Sequence, residues 1–353
     1  MLKEEIYAQG KLAKRAARIL AGLSVTEKDQ ALLAMAEALI ANKDSIIEEN
    51  EKDLLEGEKN GLSEAMADRL MLDDQRIEAM AGGLRKLVTL ADPIGKTEVM
   101  FKRPNGLEVG KVRVPLGTVG MIYEARPNVT VDAAGICIKT GNAVILRGGS
   151  TAIHSNIILS NVIAEAAVQA GLPEGCIQLI QTTDREAVNI LFTMNQYLDV
   201  LIPRGGAGLI QSVVNNSTVP VIETGTGICH AYVDAEADLQ MAVDIVNNGK
   251  SQRPSVCNSL ETVLVHQDVA EQFYPMLEEA FKEKNVLIRA CENSSKFLAK
   301  SEPATEEDYR TEYLDYIISG KVVKDIDEAM DHIAEYGTHH SDVIITKSYD
   351  QSR

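Results

Sequence analysis

Three stretches decide the fold: Thr118-Val-Gly-Met-Ile122, Asn142-Ala-Val-Ile-Leu-Arg-Gly-Gly-Ser150 and Leu198-Asp-Val-Leu-Ile-Pro-Arg-Gly-Gly206. Each contains a short apolar run without polar alternation, and the second and third run on into glycine. Runs of this kind at 177–180 and 219–222 complete the series, and helical patterns fill most of the gaps at 129–139, 153–170, 184–194 and 206–215. Apolar strands separated by helices predict a parallel sheet covered on both faces. A second series follows, with strands at 228–233, 262–265 and 286–288, helices at 239–248 and 269–282, and a last strand at 343–346. Gly225 and Gly227 mark the junction between the two series.

Upstream, the first ninety residues read as helical. Thr26-Glu27-Lys28-Asp29 offers a cap to a helix with Leu32, Met35, Ala36, Leu39 and Ile40 on one face. Ser45-Ile46-Ile47-Glu48 has the form of a capping box, and a long helix is expected from Ser63 to about Leu90, with Gly82-Gly83 as its weak point. Alternating residues on both sides of Asn105-Gly106 then predict a hairpin over 97–114. Such a ribbon either serves assembly or is simply solvated.

Composition narrows the function. The 353 residues carry 35 Lys+Arg against 52 Asp+Glu, a formal charge of −17, which disfavours binding to nucleic acid or an anionic membrane. No apolar run has the length of a membrane span, and the N-terminus lacks an apolar signal core. Five cysteines at irregular spacing and no C-x-x-C pair argue against a disulfide scaffold or structural zinc, and fit a reducing cytoplasm. Six histidines form no ligand pattern, so no metal is expected.

Three expected strand ends lead into glycine: Arg147-Gly148-Gly149-Ser150, Pro203-Arg204-Gly205-Gly206-Ala207-Gly208 and Glu223-Thr224-Gly225-Thr226-Gly227. Glycines before a helix let backbone N–H groups approach a phosphate. Their alternative reading is tight turns alone, and none has the G-x-G-x-x-G form. Among the cysteines, Cys137, Cys176 and Cys229 sit in apolar runs and Cys291 in a polar stretch without glycines. Cys257 lies in the polar turn Gln252-Arg-Pro-Ser-Val-Cys-Asn-Ser259, where Lys250 and Arg253 would favour a thiolate. It is either a nucleophile or an incidental loop cysteine.

Five stretches carry a resemblance: Gly120-Met-Ile-Tyr-Glu-Ala-Arg-Pro-Asn128, Asn142–Ser150, Ile202-Pro-Arg-Gly-Gly206, Ile222-Glu-Thr-Gly-Thr-Gly-Ile-Cys-His230 and Gln252-Arg-Pro-Ser-Val-Cys-Asn258. The chain resembles the gamma-glutamyl phosphate reductases of the aldehyde dehydrogenase superfamily, in register from its first helices to its last residues. The Arg-Pro-Ser-Val-Cys-Asn block is specific to that branch. The resemblance implies an α/β, aldehyde-dehydrogenase-like fold with two Rossmann-like parallel-sheet domains and a projecting β-hairpin for oligomerisation. It implies a cofactor-binding domain over 1–96 and 115–225, an oligomerisation hairpin over 97–114 and a catalytic domain over 226–353. Family members continue past the last residue here with a Gly/Phe-rich segment and a final strand, so the C-terminal segment of the family is expected to be missing.

It also implies a reaction, the NADPH-dependent reduction of L-glutamate 5-phosphate to L-glutamate 5-semialdehyde in proline biosynthesis, within the cytoplasm. Cys257 would attack the acyl phosphate, expel phosphate and form a thioester, which hydride from NADPH reduces to a thiohemiacetal that collapses to the aldehyde. Asn128 matches the superfamily's oxyanion-hole asparagine, with the Cys257 backbone N–H as companion. Glu223 matches the glutamate that activates water in hydrolytic members; water attack would waste the thioester here, so basic, protonating and structural roles all stay open. For the cofactor, Arg147, Gly148, Gly149 and Ser150 match the segment that grips the adenosine ribose, and an arginine there suits a 2′-phosphate. Gly205 and Gly208 match the pyrophosphate loop, and Glu312 the glutamate near the nicotinamide ribose. Arg253, Ser255 and Asn258 are candidates for the substrate's charged end. A homo-oligomer is implied, and glutamate 5-kinase is a candidate partner. A hydrolytic NAD(P)-dependent aldehyde dehydrogenase and an inactive nucleotide-binding or scaffold module are the alternative readings.

Overall fold

The computed structural model describes residues 2–62, 64–124, 126–223 and 225–353. Its chain divides into two units, Met1–Thr224 and Gly225–Arg353.

The first unit begins with five helices, α1 (Leu2–Leu20), α2 (Val25–Ala41), α3 (Lys43–Lys59), α4 (Glu64–Leu70) and α5 (Asp74–Thr89). Leu32, Met35, Ala36 and Leu39 of α2 are fully buried, as the one-face spacing requires. Each such leucine contributes roughly 1.5–3 kcal/mol relative to exposure, and truncating one to alanine would cost about 2–5 kcal/mol. Local signals were less legible. The cap of α2 is Ser24, not Thr26: its hydroxyl accepts from the Glu27 N–H while Glu27 reaches back to the Ser24 backbone. Ser45 caps nothing, because α3 already starts at Lys43. The expected helix from Ser63, itself outside the described residues, is two helices. Asp73 accepts from the Arg76 N–H and starts α5 afresh, and α5 runs unbroken through Gly82 and Gly83.

The hairpin follows as β1 (Thr97–Lys102) and β2 (Glu108–Val112), antiparallel and exposed along both strands. Then come β3 (Thr118–Tyr123), α6 (Asn128–Lys139), β4 (Ala143–Arg147), α7 (Ile153–Gln169), β5 (Ile177–Leu179), α8 (Glu186–Phe192), β6 (Val200–Arg204) and α9 (Ala207–Asn216). The sheet is parallel in the order β5-β4-β3-β6. Chain order reverses direction between β3 and β6, the crevice where open α/β sheets bind ligands. The apolar run at 219–222 is not a strand; it makes a single bridge between Val221 and Leu201. Two polar side chains of α3 organise this region from below. Asp53 accepts from the His154 and Ser155 N–H groups and the Ser155 hydroxyl, capping α7 from another helix. Asn50 joins the Leu70 carbonyl to the Leu72 N–H and so shapes the break before α5.

The second unit contains β7 (Cys229–Val233), α10 (Leu239–Ser251), β8 (Leu260–His266), α11 (Gln267–Phe281), β9 (Leu287–Ala290), α12 (Glu292–Ser295), β10 (Glu302–Pro303), α13 (Glu306–Tyr309), β11 (Ile317–Val323), α14 (Ile326–Tyr336) and β12 (Val343–Ile345). Its sheet is parallel in the order β10-β9-β11-β8-β7-β12. Sequence reading missed β11, an interior strand, although Ile317 and Ile318 begin it. Its Ser319, Gly320 and Lys321 dilute the apolar run, and buried Ser319 is satisfied by the Tyr313 hydroxyl at 2.8 Å.

Candidate active site

Cys257 sits in the irregular loop between α10 and β8, half-buried. Its carbonyl accepts from the Cys229 thiol at 3.3 Å, which fixes the loop to the start of β7. Gly227 lies flat against the same carbonyl: a Cβ there would meet the Cys257 oxygen at 1.5 Å. The Gly227 N–H donates to Glu312 at 2.9 Å, and the next N–H, of Ile228, donates to the Thr338 hydroxyl at 3.0 Å. Cys257, Gly227 and Glu312 are therefore one assembly, built from three segments far apart in sequence. Arg253 and Asn258 share the Cys257 loop and are exposed, whereas Ser255 is half-buried.

Lys250 does not serve the thiol. It is fully buried at the end of α10 and its ammonium is 2.7 Å from the carboxylate of equally buried Glu261, on β8. Burial raises the Glu261 carboxyl to about 7, against the pull of Lys250, and lowers Lys250. The pair ties together the two ends of the loop that carries Cys257. Among the other cysteines, burial pushes Cys137 up to about 12 and Cys176 to about 11, and raises Cys229. Cys291 differs: burial would raise it, but hydrogen bonds from Ser294 and from backbone N–H groups outweigh that and lower it.

In the first unit, Asn128 opens α6 and its side-chain amide donates to Asp132 at 2.9 Å. Sequence reading did not single out Asp132; the signal was the i, i+4 spacing from Asn128. Burial raises the Asp132 carboxyl, partly offset by the Asn128 bond. Both residues line a cavity of about 300 Å³ between α6 and the β3–β6 face. Glu223 is exposed, next to Thr224, which lies outside the described residues, as does Ala125 before Arg126.

Arg147 ends β4 with its side chain buried. Two of its nitrogens donate to the Gly148 carbonyl at 2.9 Å and the Thr183 carbonyl at 3.1 Å, while Nε has no partner among the described residues. Burial, and then the like charge of Arg185, lower its pKa. Arg185 is exposed, two residues beyond Thr183, and is a second cation that sequence reading passed over. Gly148 admits no side chain, since a Cβ would come within 2.1 Å of the Asn156 amide. Ser150 begins the turn before α7, and Gly149 precedes it. Gly205 and Gly208 flank the start of α9, whose first turn receives no side-chain cap. Gly205 is pressed against Glu124, but a Cβ on Gly208 would meet nothing within 4 Å.

Comparison with known proteins identifies the family and the fold. The sequence pattern of the aldehyde dehydrogenase family matches residues 2–294. The gamma-glutamyl phosphate reductase of Moorella thermoacetica is 58% identical over 349 residues, 99% of this chain and 84% of that protein. That of Halothermothrix orenii is 57% identical over 348 residues, 99% of this chain and 83% of the relative. The crystal structure of gamma-glutamyl phosphate reductase from Thermotoga maritima superposes with a TM-score of 0.94 at 41% identity, covering 99% of this chain and 84% of that one. An acetylating aldehyde dehydrogenase from Geobacillus thermoglucosidasius, 19% identical with a TM-score of 0.68 over 99% of this chain and 83% of its own, shares the fold. The chain belongs to the aldehyde dehydrogenase family and, within it, to the gamma-glutamyl phosphate reductases.

Proposed function

We infer that this chain reduces L-glutamate 5-phosphate to L-glutamate 5-semialdehyde with release of phosphate, through a thioester on Cys257. The observation that carries the reading is the setting of Cys257, a half-buried thiol on a loop whose backbone is fixed by Cys229, Gly227 and the buried Lys250–Glu261 pair. A nucleophile needs that combination of access and fixed position. Its thiolate attacks the acyl carbon, the C–O bond to phosphate breaks, and inorganic phosphate leaves. When the aldehyde forms, the C–S bond breaks and the thiolate returns. The Asn128 amide has two N–H groups; one is engaged by Asp132, and the second is the donor offered to the carbonyl oxygen as it becomes an oxyanion. Glu223 is exposed and suits proton transfer or support rather than activation of water, which would divert the thioester.

Residues of the first unit fit NADPH. The unpartnered Nε of Arg147 and the neighbouring Arg185 suit a 2′-phosphate. Gly148, Gly149 and Ser150 would meet the adenosine ribose. Nothing among the described residues demands glycine at 208, but a pyrophosphate close to the uncapped start of α9 would. Bound NADPH supplies the hydride that takes the thioester to the aldehyde level. Glu312 keeps one carboxylate oxygen on Gly227 and has the other to offer the nicotinamide ribose. Arg253, Ser255 and Asn258 border the thiol and suit the leaving phosphate. The 97–114 hairpin, with Val99, Met100 and Phe101 exposed, suits assembly with further copies of the chain.

The test is NADP⁺ reduction by glutamate 5-semialdehyde with and without inorganic phosphate. Strict phosphate dependence is expected. Turnover without phosphate would make the protein a hydrolytic dehydrogenase instead, and silence from a folded protein that binds NADPH would contradict the reaction.

A further inference from the structure

Glu312-Tyr313-Leu314 forms a turn between α13 and β11, inside the second unit. Leu314 has φ 55°, in the left-handed region that a leucine rarely enters, and its side chain is 41% exposed. Burial of that side chain therefore does not force the conformation. A hydrogen bond holds the backbone instead: the Leu314 N–H donates to Glu261 at 3.4 Å. The other oxygen of the same carboxylate takes the Lys250 ammonium. Lys250 in turn stands 6.0 Å from the centre of the Tyr313 ring, and the Arg289 guanidinium stands 5.5 Å from it. The Tyr313 hydroxyl anchors the far end of the ring, donating to Asp308 at 3.0 Å and lying 2.8 Å from the Ser319 hydroxyl. Both members of the buried ion pair thus bear on the two residues that follow Glu312.

From Glu312 the connection returns to the nucleophile. Its carboxylate accepts from the Gly227 N–H, and Gly227 lies against the Cys257 carbonyl. The contacts close a ring that runs from Cys257 through Gly227, Glu312, Leu314 and Glu261, and back along the chain to Cys257. Stability alone does not account for the ion pair, because a well-packed apolar pair of similar volume often does as well or better. An apolar pair would, however, leave the Leu314 N–H without the acceptor it has here.

We propose that the Lys250–Glu261 pair is a positioning device for the thioester chemistry: it fixes the backbone at 313–314 and, through Glu312 and Gly227, the place of Cys257. The proposal rests on the reaction at Cys257 and names what keeps that thiol in line. Glu261 acts through the Leu314 N–H and Lys250 through the Tyr313 ring, so both are positioning residues.

The test sets activity against stability in two variants, Glu261→Gln and Lys250→Met/Glu261→Leu. Glutamine leaves a buried ammonium without its counter-ion but keeps an oxygen for the Leu314 N–H. The double variant removes both charges and the acceptor. A positioning role ranks the two in opposite orders, with the double variant the more stable and the less active. Its kcat for phosphate-dependent NADP⁺ reduction should fall at least about tenfold, with KM for the aldehyde within about threefold of native. Hydrogen exchange gives a second readout that needs no turnover. In the double variant the Gly227 amide should exchange at least about tenfold faster, because its partner Glu312 has lost its support. Native kcat in the double variant, activity that follows stability across the two, or native exchange at Gly227 would each overturn the proposal. Tyr313→Phe keeps the ion pair and removes only the hydroxyl anchor, and it decides the matter should either replacement fail to fold. It should lower kcat by about 3–10-fold and quicken exchange at Gly227; native values for both would overturn the proposal. Absence of phosphate-dependent turnover in the native chain would sink the reaction, while exchange at Gly227 would still decide the positioning.

Discussion

Gly227 and Cys257 touch through their backbones so closely that a single added carbon on Gly227 would lie 1.5 Å from the Cys257 carbonyl oxygen. That oxygen is backbone and cannot swing aside as the end of a flexible side chain could. Gly227→Ala must therefore displace the Cys257 loop, the bond from Gly227 to Glu312, or both. We predict a loss of kcat of at least about 100-fold, consistent with the sensitivity of catalysis to shifts of about 1 Å. Thermal unfolding should change much less. Near-native turnover of the alanine variant would show that the loop is not held by this contact.

The Lys250–Glu261 pair invites a double-mutant cycle. Glu261→Gln leaves a buried ammonium without its counter-ion and should destabilise the second unit by about 3–5 kcal/mol. Replacing both residues, by methionine and leucine, should cost less than Glu261→Gln alone. Urea unfolding measures both. A double variant as unstable as the sum of the singles would argue that the two charges are not coupled.

His332, on α14, is buried and pressed down to about 3 by burial, then by the charges of Lys321 and His230. Its Nδ1 faces the Lys321 ammonium at 3.2 Å, so the folded protein keeps the ring neutral. A depressed folded pKa contributes stability that is complete above the ordinary value near 6.5 and is lost as pH falls toward 3. By pH ~4.5 the loss should reach about 3 kcal/mol. Urea midpoints at pH ~7 and ~4.5 should drop less in His332→Gln than in the native protein, since that side chain does not titrate. Identical drops would assign the acid sensitivity elsewhere.

Thiol labelling separates the cysteines by access and ionisation. Cys257 is half-buried on its loop, and hydrogen bonds lower Cys291, whereas Cys137, Cys176 and Cys229 are buried and raised. At pH ~8 an alkylating agent should modify Cys257 and Cys291 first and leave the other three. In Cys291→Ser one fast thiol should remain, and its loss should parallel the loss of activity. Inactivation that follows Cys291 instead would contradict the assignment of Cys257.

What the sequence made legible follows from how local each signal is. Runs at 118–122, 143–146 and 198–202, apolar apart from Thr118 and Asp199 at their starts, announced strands because burial on both faces leaves little room for polar residues. The hairpin was legible from Asn105-Gly106 and alternation alone. Helix ends were not: Asp53 caps α7 and Asn50 shapes the turn before α5 from a third helix, so their partners lie about 20 or 100 residues away. Lys250 looked like a neighbour of Cys257 by number, yet it is buried against Glu261, a residue of β8 on the far side of the loop. Asp132 escaped notice, and Arg204 was read only as part of its glycine loop, because nothing local joins the two. Only the packing of α6 against β3 and β6 brings them to one cavity.

The most direct test of the account is to mix the native chain with glutamate 5-semialdehyde and NADP⁺ in the absence of phosphate, and to follow NADPH and protein mass together. The account predicts a burst of one NADPH per active thiol and a glutamyl adduct on the peptide containing Cys257, discharged on adding phosphate and absent in Cys257→Ala. An adduct on another residue, or turnover that survives in Cys257→Ala, would contradict it.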